Sequence, residues 1–377
     1  MKQKTILHLA AVLLLFSLLT AVVGCGAGSP VAPETSPVAP ETSAAATDAE
    51  SAAASETPSE AATAAPVTTA PATTAAPEPE PQPQPETLKV VSFNIFYWDQ
   101  QGSAKNNSSI TFDATIDTRA PKLESLLAGE GIDILGVQEA TSAWKAKLRG
   151  FSDFDMVGDK TSSSGEGGYI LFRKEKLEQV ADSYGRITLP ALGKDANGNE
   201  VQPSEYPTHD RILTWVVLHL KNTDQYIIVL DTHLHHLQKN ENDDLVREAQ
   251  AKAILAKIEE LKTKYSSYSR FSIALTGDMN SSPAQRGYAT LSGVLSDSRK
   301  ASVGSTVADE FATSPGFWYA GKSENNVCKN GWIIDYVFVS RNCTVKNYTM
   351  LHTATNLCAY GEYISDHNCV IAEIIPA

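Results

Sequence analysis

The chain has 377 residues, of which 42% are hydrophobic and 20% charged, with 31 Lys and Arg against 44 Asp and Glu and a net charge of −13. That composition excludes a fibre and a polytopic membrane protein. The acid is unevenly placed: residues 26–86 hold nine acids and no base, leaving 29 basic and 35 acidic residues, a net of −6, in 87–377. So mild a charge argues against a sequence-independent grip on bulk nucleic acid through a large basic face, although a local basic patch stays open.

Residues 1–24 read as a secretory signal, with Lys2 and Lys4 ahead of a nearly uncharged run from Ile6 to Val23. The run is short of a strongly apolar spanning helix, and His8, Ser17 and Thr20 weaken it further. Its end, Val22-Val23-Gly24-Cys25, resembles the lipobox of bacterial lipoproteins. The resemblance implies that Cys25 becomes lipidated after cleavage and holds an exported chain on the membrane. That membrane would be the outer leaflet of the cytoplasmic membrane, or the outer membrane in a two-membrane envelope. A plain signal peptide or an uncleaved anchor is the alternative. Residues 26–86 carry twelve of the 19 prolines, and SPVAPET occurs twice, at 29–35 and 36–42. Such a stretch cannot bury enough apolar surface to offset its ordering entropy, so 25–86 is expected to be a lipidated cysteine and a disordered tether. Fully extended it would reach roughly 190 Å, enough to hold a head away from a membrane.

The character changes at Leu88, and 87–377 reads as one domain. Leu88–Phe96 is a buried strand, Arg119–Leu127 a helix, and Ile132–Val137 a strand. Strands follow at Tyr169–Phe172, Ile212–Leu220 and Tyr226–Leu230. The longest helical pattern is Asp243–Leu261, with Ala253, Ile254, Ile258 and Leu261 on one face and its charges read as a solvated face. Phe271–Leu275, Ile333–Val339 and Cys369–Ile375 are strands, and Ser282-Pro283 looks like a helix start. Strands with helices between them imply an α/β domain with packed sheets.

Polar groups recur beside these strands: Asn94, Glu139, His233, Asp278 with Asn280, Asp335, and Asp366 with His367. Gly277 is read as letting the chain turn before Asp278. An Asp after a strand is most often a turn or cap residue. Together, however, these groups supply hard oxygen ligands and two histidines, the inventory a cation-assisted phosphate hydrolase needs. Val91-Ser92-Phe93-Asn94-Ile95, Gly136-Val137-Gln138-Glu139, Asp231-Thr232-His233-Leu234, Thr276-Gly277-Asp278-Met279-Asn280, Ile334-Asp335-Tyr336-Val337 and Ser365-Asp366-His367 resemble, in order, the motifs of the endonuclease/exonuclease/phosphatase superfamily. The resemblance spans 88–376 and implies a four-layered α/β sandwich, two mixed sheets face to face with helices outside, as in DNase I.

It also implies roles. Glu139, Asn94 and Asp366 would hold Mg²⁺ or Mn²⁺. His367 would be the general base, oriented by Asp335. Asp278 would protonate the leaving oxygen, Asn280 and His233 would contact the phosphate, Glu166 would orient His233, and Arg211 would grip phosphate oxygens. His233 and His235 share a strand face and would suit Zn²⁺ instead. Trp144 and Trp215 are expected in the core, and Phe317, Trp318 and Tyr319 either line the site or pack inside. Of the cysteines past Cys25, Cys369 reads as a buried thiol and Cys328–Cys358 as the favoured bridge. The implied activity is that of a monomeric surface phosphoesterase. Its substrate class stays open among nucleic acid, small organophosphates and lipid headgroups. A non-catalytic binding protein that keeps the fold is the contrasting reading; it expects losses among the motif residues, and none is evident.

Overall fold

A computed structural model describes residues 86–99, 115–160, 166–268, 270–308, 312–315, 332–355 and 358–377. The signal segment, Cys25, the tether up to residue 85, Phe317–Tyr319 and Cys328 lie outside the described residues. The first half runs β1 (Leu88–Asn94), α1 (Ile116–Gly129), β2 (Ile134–Ala140), α2 (Ser142–Leu148), β3 (Phe154–Lys160), β4 (Gly167–Arg173), β5 (Leu177–Thr188), β6 (Gly193–Lys194) and β7 (Glu200–Val201). Then come β8 (Ile212–Leu220), β9 (Gln225–His233), α3 (Glu241–Lys264), β10 (Arg270–Asp278), α4 (Arg286–Ser292), β11 (Ser296–Asp297), α5 (Ser298–Ala301), β12 (Thr306–Val307), β13 (Asp335–Val339), β14 (Thr344–Leu351) and β15 (Cys369–Ile375).

The continuous apolar runs have a simple cause: both faces of each central strand are covered, so neither member of the period-two alternation meets water. Val90, Ile134 and Ile170 point inward to meet Val216, Leu218 and Val229 of a second sheet. Their neighbours Val91, Leu135 and Leu171 point outward beneath Leu123, Leu126 and Leu127 of α1 and Trp144 of α2. On the opposite side Trp215, Val217, Ile228 and Leu230 pack under Ile254, Ile258 and Leu261 of α3. At about 1.5–3 kcal/mol per fully buried large apolar side chain, this burial is the main stabilising term. The result is helix, sheet, sheet, helix, the expected four layers.

One sheet has the order β12-β14-β15-β1-β2-β4-β3, the other β11-β13-β10-β9-β8-β5, and β6 pairs with β7. The pairs β1–β2, β9–β10 and β12–β14 are parallel and the rest antiparallel, so both large sheets are mixed. Parallel β9 and β10 are joined by α3, the crossover such a pair requires.

Several expectations change. The helix does not start at Ser282-Pro283. Gln285 Oε1 accepts from Ser282 N at 2.7 Å and Gln285 N donates to Ser282 O, closing a turn, and α4 begins at Arg286. Strands β3, β5 and β14 escape the sequence reading because their burial is partial and they lack apolar runs. Gly277 lies inside β10 rather than at a turn, and its N–H donates to Ser92 Oγ at 2.8 Å across the two sheets. The α3 charges are not all solvated, because Asp243 and Arg247 are buried. Cys358 is a half-buried free thiol, and its expected partner Cys328 lies outside the described residues; Cys369 is the buried thiol expected. Trp144 and Trp215 are core residues. Among the described residues, no helix is long and apolar enough to cross a membrane.

Candidate active site

The strands deliver their polar ends to one edge of the sandwich. Asn94, His233 and Asp278 are the last residues of β1, β9 and β10. Asp335 opens β13, and Asp366-His367 precede β15. Because β13 and β15 run antiparallel to β10 and β1, their beginnings lie beside those ends. Asp278 stands in register with His233 on one side and Asp335 on the other. Glu139 sits where the β2–β4 register shifts, with φ of 63°, and Asn280 has φ of 45°. Non-glycine residues in this left-handed region cost backbone energy and gather where a side chain must be aimed. Gly136 lets the sheets close in beneath the site: a Cβ there would lie 1.8 Å from Thr276 Oγ1 and 2.4 Å from Asp231 Oδ1.

Asp278 Oδ2 is the hub. Asn94 Nδ2 donates to it at 3.1 Å, His233 Nε2 lies at 3.5 Å and His367 Nε2 at 3.8 Å. Asp278 Oδ1 accepts from Asn280 N at 2.9 Å. His367 Nδ1 faces Asp335 Oδ2 at 2.9 Å and Oδ1 at 3.1 Å, which makes Nδ1 the protonated nitrogen and turns Nε2 toward Asp278. Ser314 Oγ stands 3.4 Å from that Nε2. Glu139 accepts from Asn94 Nδ2 at 2.9 Å and from Tyr97 N at 3.2 Å.

Burial penalises every charge here. It raises Glu139, aided by Glu166. It lifts Asp278 to about 6, with Asp335 adding to the rise, and Asp366 to about 6 against the pull of His367. Burial also works against a protonated His367, but Asp335 outweighs it and holds the imidazole well above the usual histidine range. His233, buried and next to the Arg211 charge, is held well below that range and stays neutral. The two histidines that flank Asp278 Oδ2 are thus shifted in opposite directions, which suits different tasks.

The placement refines the expected roles. Asn94 Nδ2 bridges Glu139 and Asp278, while Oδ1 accepts from Phe96 N at 3.1 Å. It therefore sets the spacing of the carboxylates. Glu166 lines a narrow cleft with Glu139, Arg211 and His233. It does not orient His233, whose Nδ1 is buried without a hydrogen-bond partner; its charge acts on Arg211 instead. Arg211 has a buried, unpartnered Nε, and its Nη2 lies 3.2 Å from His236 Nδ1. The His233/His235 zinc arrangement fails because His235 spends both ring nitrogens on Thr208 and Asp243. Nothing in the sequence marks Ser314, Tyr97 or Arg119 as belonging to the site: Ser314 Oγ meets His367 Nε2, Tyr97 acts through its backbone N–H and Arg119 binds backbone carbonyls, and none carries a motif of its own.

Among the described residues, Glu139, His233 and Asp278 bring one ligand atom each within 4.8 Å of one another, as do Asp278, Asp335 and His367. Asp366 is in neither group, although Glu139 and His367 both act on its charge. The carboxylates fit a hard divalent cation: burial disfavours the negative charge of Glu139, Asp278 and Asp366 alike, and a cation would offset it.

The model of the Endonuclease/Exonuclease/phosphatase family matches residues 105–367. A search of the curated proteins returned no match. Among solved structures, an endonuclease/exonuclease/phosphatase family protein from Bacteroides thetaiotaomicron is 22% identical, with TM-score 0.59, covering 78% of this chain and 99% of its own. A mannosyl-6-phosphatase of the same organism is 22% identical at TM-score 0.58, with 76% of this chain and 99% of that one covered. The human Nocturnin catalytic domain, with bound sulfate, is 14% identical at TM-score 0.51, covering 77% and 95%. At these identities the likeness concerns the fold.

Proposed function

The chain belongs to the endonuclease/exonuclease/phosphatase family, and from that premise we propose that it is a divalent-cation-dependent phosphoesterase working at the cell surface. The family's name covers nucleases and phosphatases, enzymes that hydrolyse phosphate esters. The observation that carries the reading is the His367–Asp335 pair, with His367 Nε2 turned to Asp278 and His233 in register beyond it. With Nδ1 held by Asp335, His367 turns Nε2 to the site; its unprotonated form takes a proton from an attacking water, and the Asp335 charge stabilises the imidazolium that results. Asp278, raised to about 6, is a weak enough acid to pass through its protonated form near neutral pH and give that proton to the leaving oxygen. Asn280, neutral His233 and Arg211 hold phosphate oxygens, the guanidinium as a two-pronged donor. Glu139 and Asp366 would hold Mg²⁺ or Mn²⁺, which supplies charge stabilisation at the phosphate.

The lipobox-like Val22–Cys25 supports attachment of the exported chain by lipid at Cys25, with 26–86 as tether. Metabolic labelling with palmitate tests this: label is expected on the wild type and absent from Cys25→Ala, and an unlabelled wild type removes the claim. The substrate is a phosphate ester of a sugar, a nucleic acid or a lipid headgroup; the mannosyl-6-phosphatase likeness supports including sugar monoesters. The deciding assay offers the full chain mannose 6-phosphate, inositol phosphates, sphingomyelin, RNA, supercoiled DNA and bis-p-nitrophenyl phosphate, each with Mg²⁺ and with EDTA. Turnover that EDTA stops and Mg²⁺ restores is expected. Silence on every ester would favour a binding protein that keeps the fold.

A further inference from the structure

We propose that Arg119 is the positioning residue for the cation side of the site, tying the segment after Asn94 to the segment before Asp366. The inference rests on the phosphoesterase reading above. Arg119 leaves α1 fully buried, an unusual location for a guanidinium. Its Nη1 donates to Ile95 O at 2.6 Å and Ile364 O at 3.2 Å. Its Nη2 donates to Phe96 O at 3.1 Å and to Trp98 O. The guanidinium carbon lies 4.9 Å from the Trp144 ring centroid and 5.6 Å from that of Phe96.

Each carbonyl belongs to a segment that orients a site group. Phe96, held at φ of 59°, gives its N–H to Asn94 Oδ1, and Tyr97 gives its own to Glu139 Oε2. Ile364 precedes Ser365, whose Oγ donates to Asn94 O at 2.6 Å and accepts from His367 N at 3.1 Å. One planar fork thus binds two chain segments far apart in sequence and holds a strained backbone in the shape that aims Asn94 and Glu139. Lysine, a point donor, cannot reproduce the fork. The positive charge also acts on Asp366, favouring its ionised form. Groups that orient ligands in this way typically change cation affinity or activity by about 10–100-fold when altered.

The test uses the full chain carrying Arg119→Lys. Circular dichroism reports the fold, calorimetric titration with Mg²⁺ reports binding, and the best ester substrate reports kcat and KM. A folded variant is expected with Mg²⁺ binding weakened and kcat lowered, each about 10–100-fold, and KM changed less than about threefold. A folded variant with wild-type Mg²⁺ affinity and kcat would overturn the proposal. If Arg119→Lys does not fold, Arg119→Gln decides: its planar amide can donate to one segment's carbonyls but cannot span both segments as the guanidinium fork does. A loss of both Mg²⁺ affinity and kcat is then expected, and no change in either overturns the proposal. A wild type that binds Mg²⁺ but turns over no ester would instead sink the phosphoesterase reading, leaving the calorimetric comparison to judge Arg119.

Discussion

Single side chains at this site are separable by what their removal does to different substrates. An acid that protonates a leaving group matters for an alkoxide and little for a nitrophenolate. Asp278→Asn is therefore expected to lower kcat by about 10²–10⁴ on a sugar or nucleoside ester, and by about tenfold at most on a p-nitrophenyl ester. Equal losses on both would remove the acid role. His367→Ala should lose about 10²–10⁴ on both, because both need an activated water, while circular dichroism stays unchanged. Asp231 is a different case. It is fully buried, with Oδ1 accepting from Gln138 Nε2 at 2.6 Å and Thr276 Oγ1 at 2.8 Å, while Oδ2 has no partner. Burial raises its carboxyl well above the ordinary range despite the hydrogen bonds from Thr276 and Gln138. The folded chain therefore keeps a proton that the unfolded chain releases near pH 4, and stability falls as pH rises from there toward the folded pKa. Asp231→Asn, an isostere of the protonated acid, should flatten that fall; urea midpoints from pH 4 to 8 measure it. A variant less stable than wild type at pH 8 would mean that the carboxylate, not the acid, is the native form.

At the scale of elements, α3 positions the site as well as covering a sheet. Asn240 and Asp243 form its capping box. Asp243 also accepts from Ser204 N at 2.8 Å, Lys239 N at 2.8 Å and His235 Nε2 at 3.1 Å. Arg247, one turn on, donates to His235 O at 3.2 Å and to Leu237 O. The loop leaving His233 is thereby fastened to the helix. Burial works against the Asp243 charge, but the Ser204, Lys239 and His235 hydrogen bonds outweigh it and lower the carboxyl from 3.8 to about 2. The sign is that of a depressed acid: the stabilisation is present above the unfolded pKa near 4 and lost as pH falls through about 2. It amounts to about 2 kcal/mol. Asp243→Asn should remove that much at pH 7 and shrink the acid-side loss; an unchanged midpoint at both pH 7 and pH 3 would show that the network contributes nothing.

At the scale of the molecule, the site depends on how closely two sheets approach. Gly136→Ala places a methyl against Thr276 and Asp231 of the other sheet, so a destabilisation of about 1–3 kcal/mol is expected. Activity should fall with it, since Glu139 belongs to one sheet and His233 and Asp278 to the other. Cation binding should stabilise the whole fold, by about 2.7 kcal/mol at a hundredfold excess over Kd. Thermal melts with Mg²⁺ and EDTA read this directly, and Glu139→Gln should shrink the difference. A melting temperature indifferent to Mg²⁺ in the wild type would contradict a cation held by Glu139.

Alternation and apolar runs determined the central strands and the long helix, because local periodicity records which faces are covered. The ordered motifs likewise picked out Glu139, His233, Asp278, Asn280, Asp335 and His367, because a strand ending in a polar residue at a fixed offset is itself a local pattern. The partnerships were decided only in three dimensions. That Asn94 spans Glu139 and Asp278, that Glu166 serves Arg211 rather than His233, and that His235 belongs to Asp243 all depend on register between strands distant in the chain. Arg119 is the clearest instance. In the sequence it is one basic residue near the start of a helix, and nothing local marks it. Its role arises because folding brings the carbonyls of 95–98 and 364 around one buried guanidinium, and a backbone carbonyl leaves no trace in the identity of the residue that carries it.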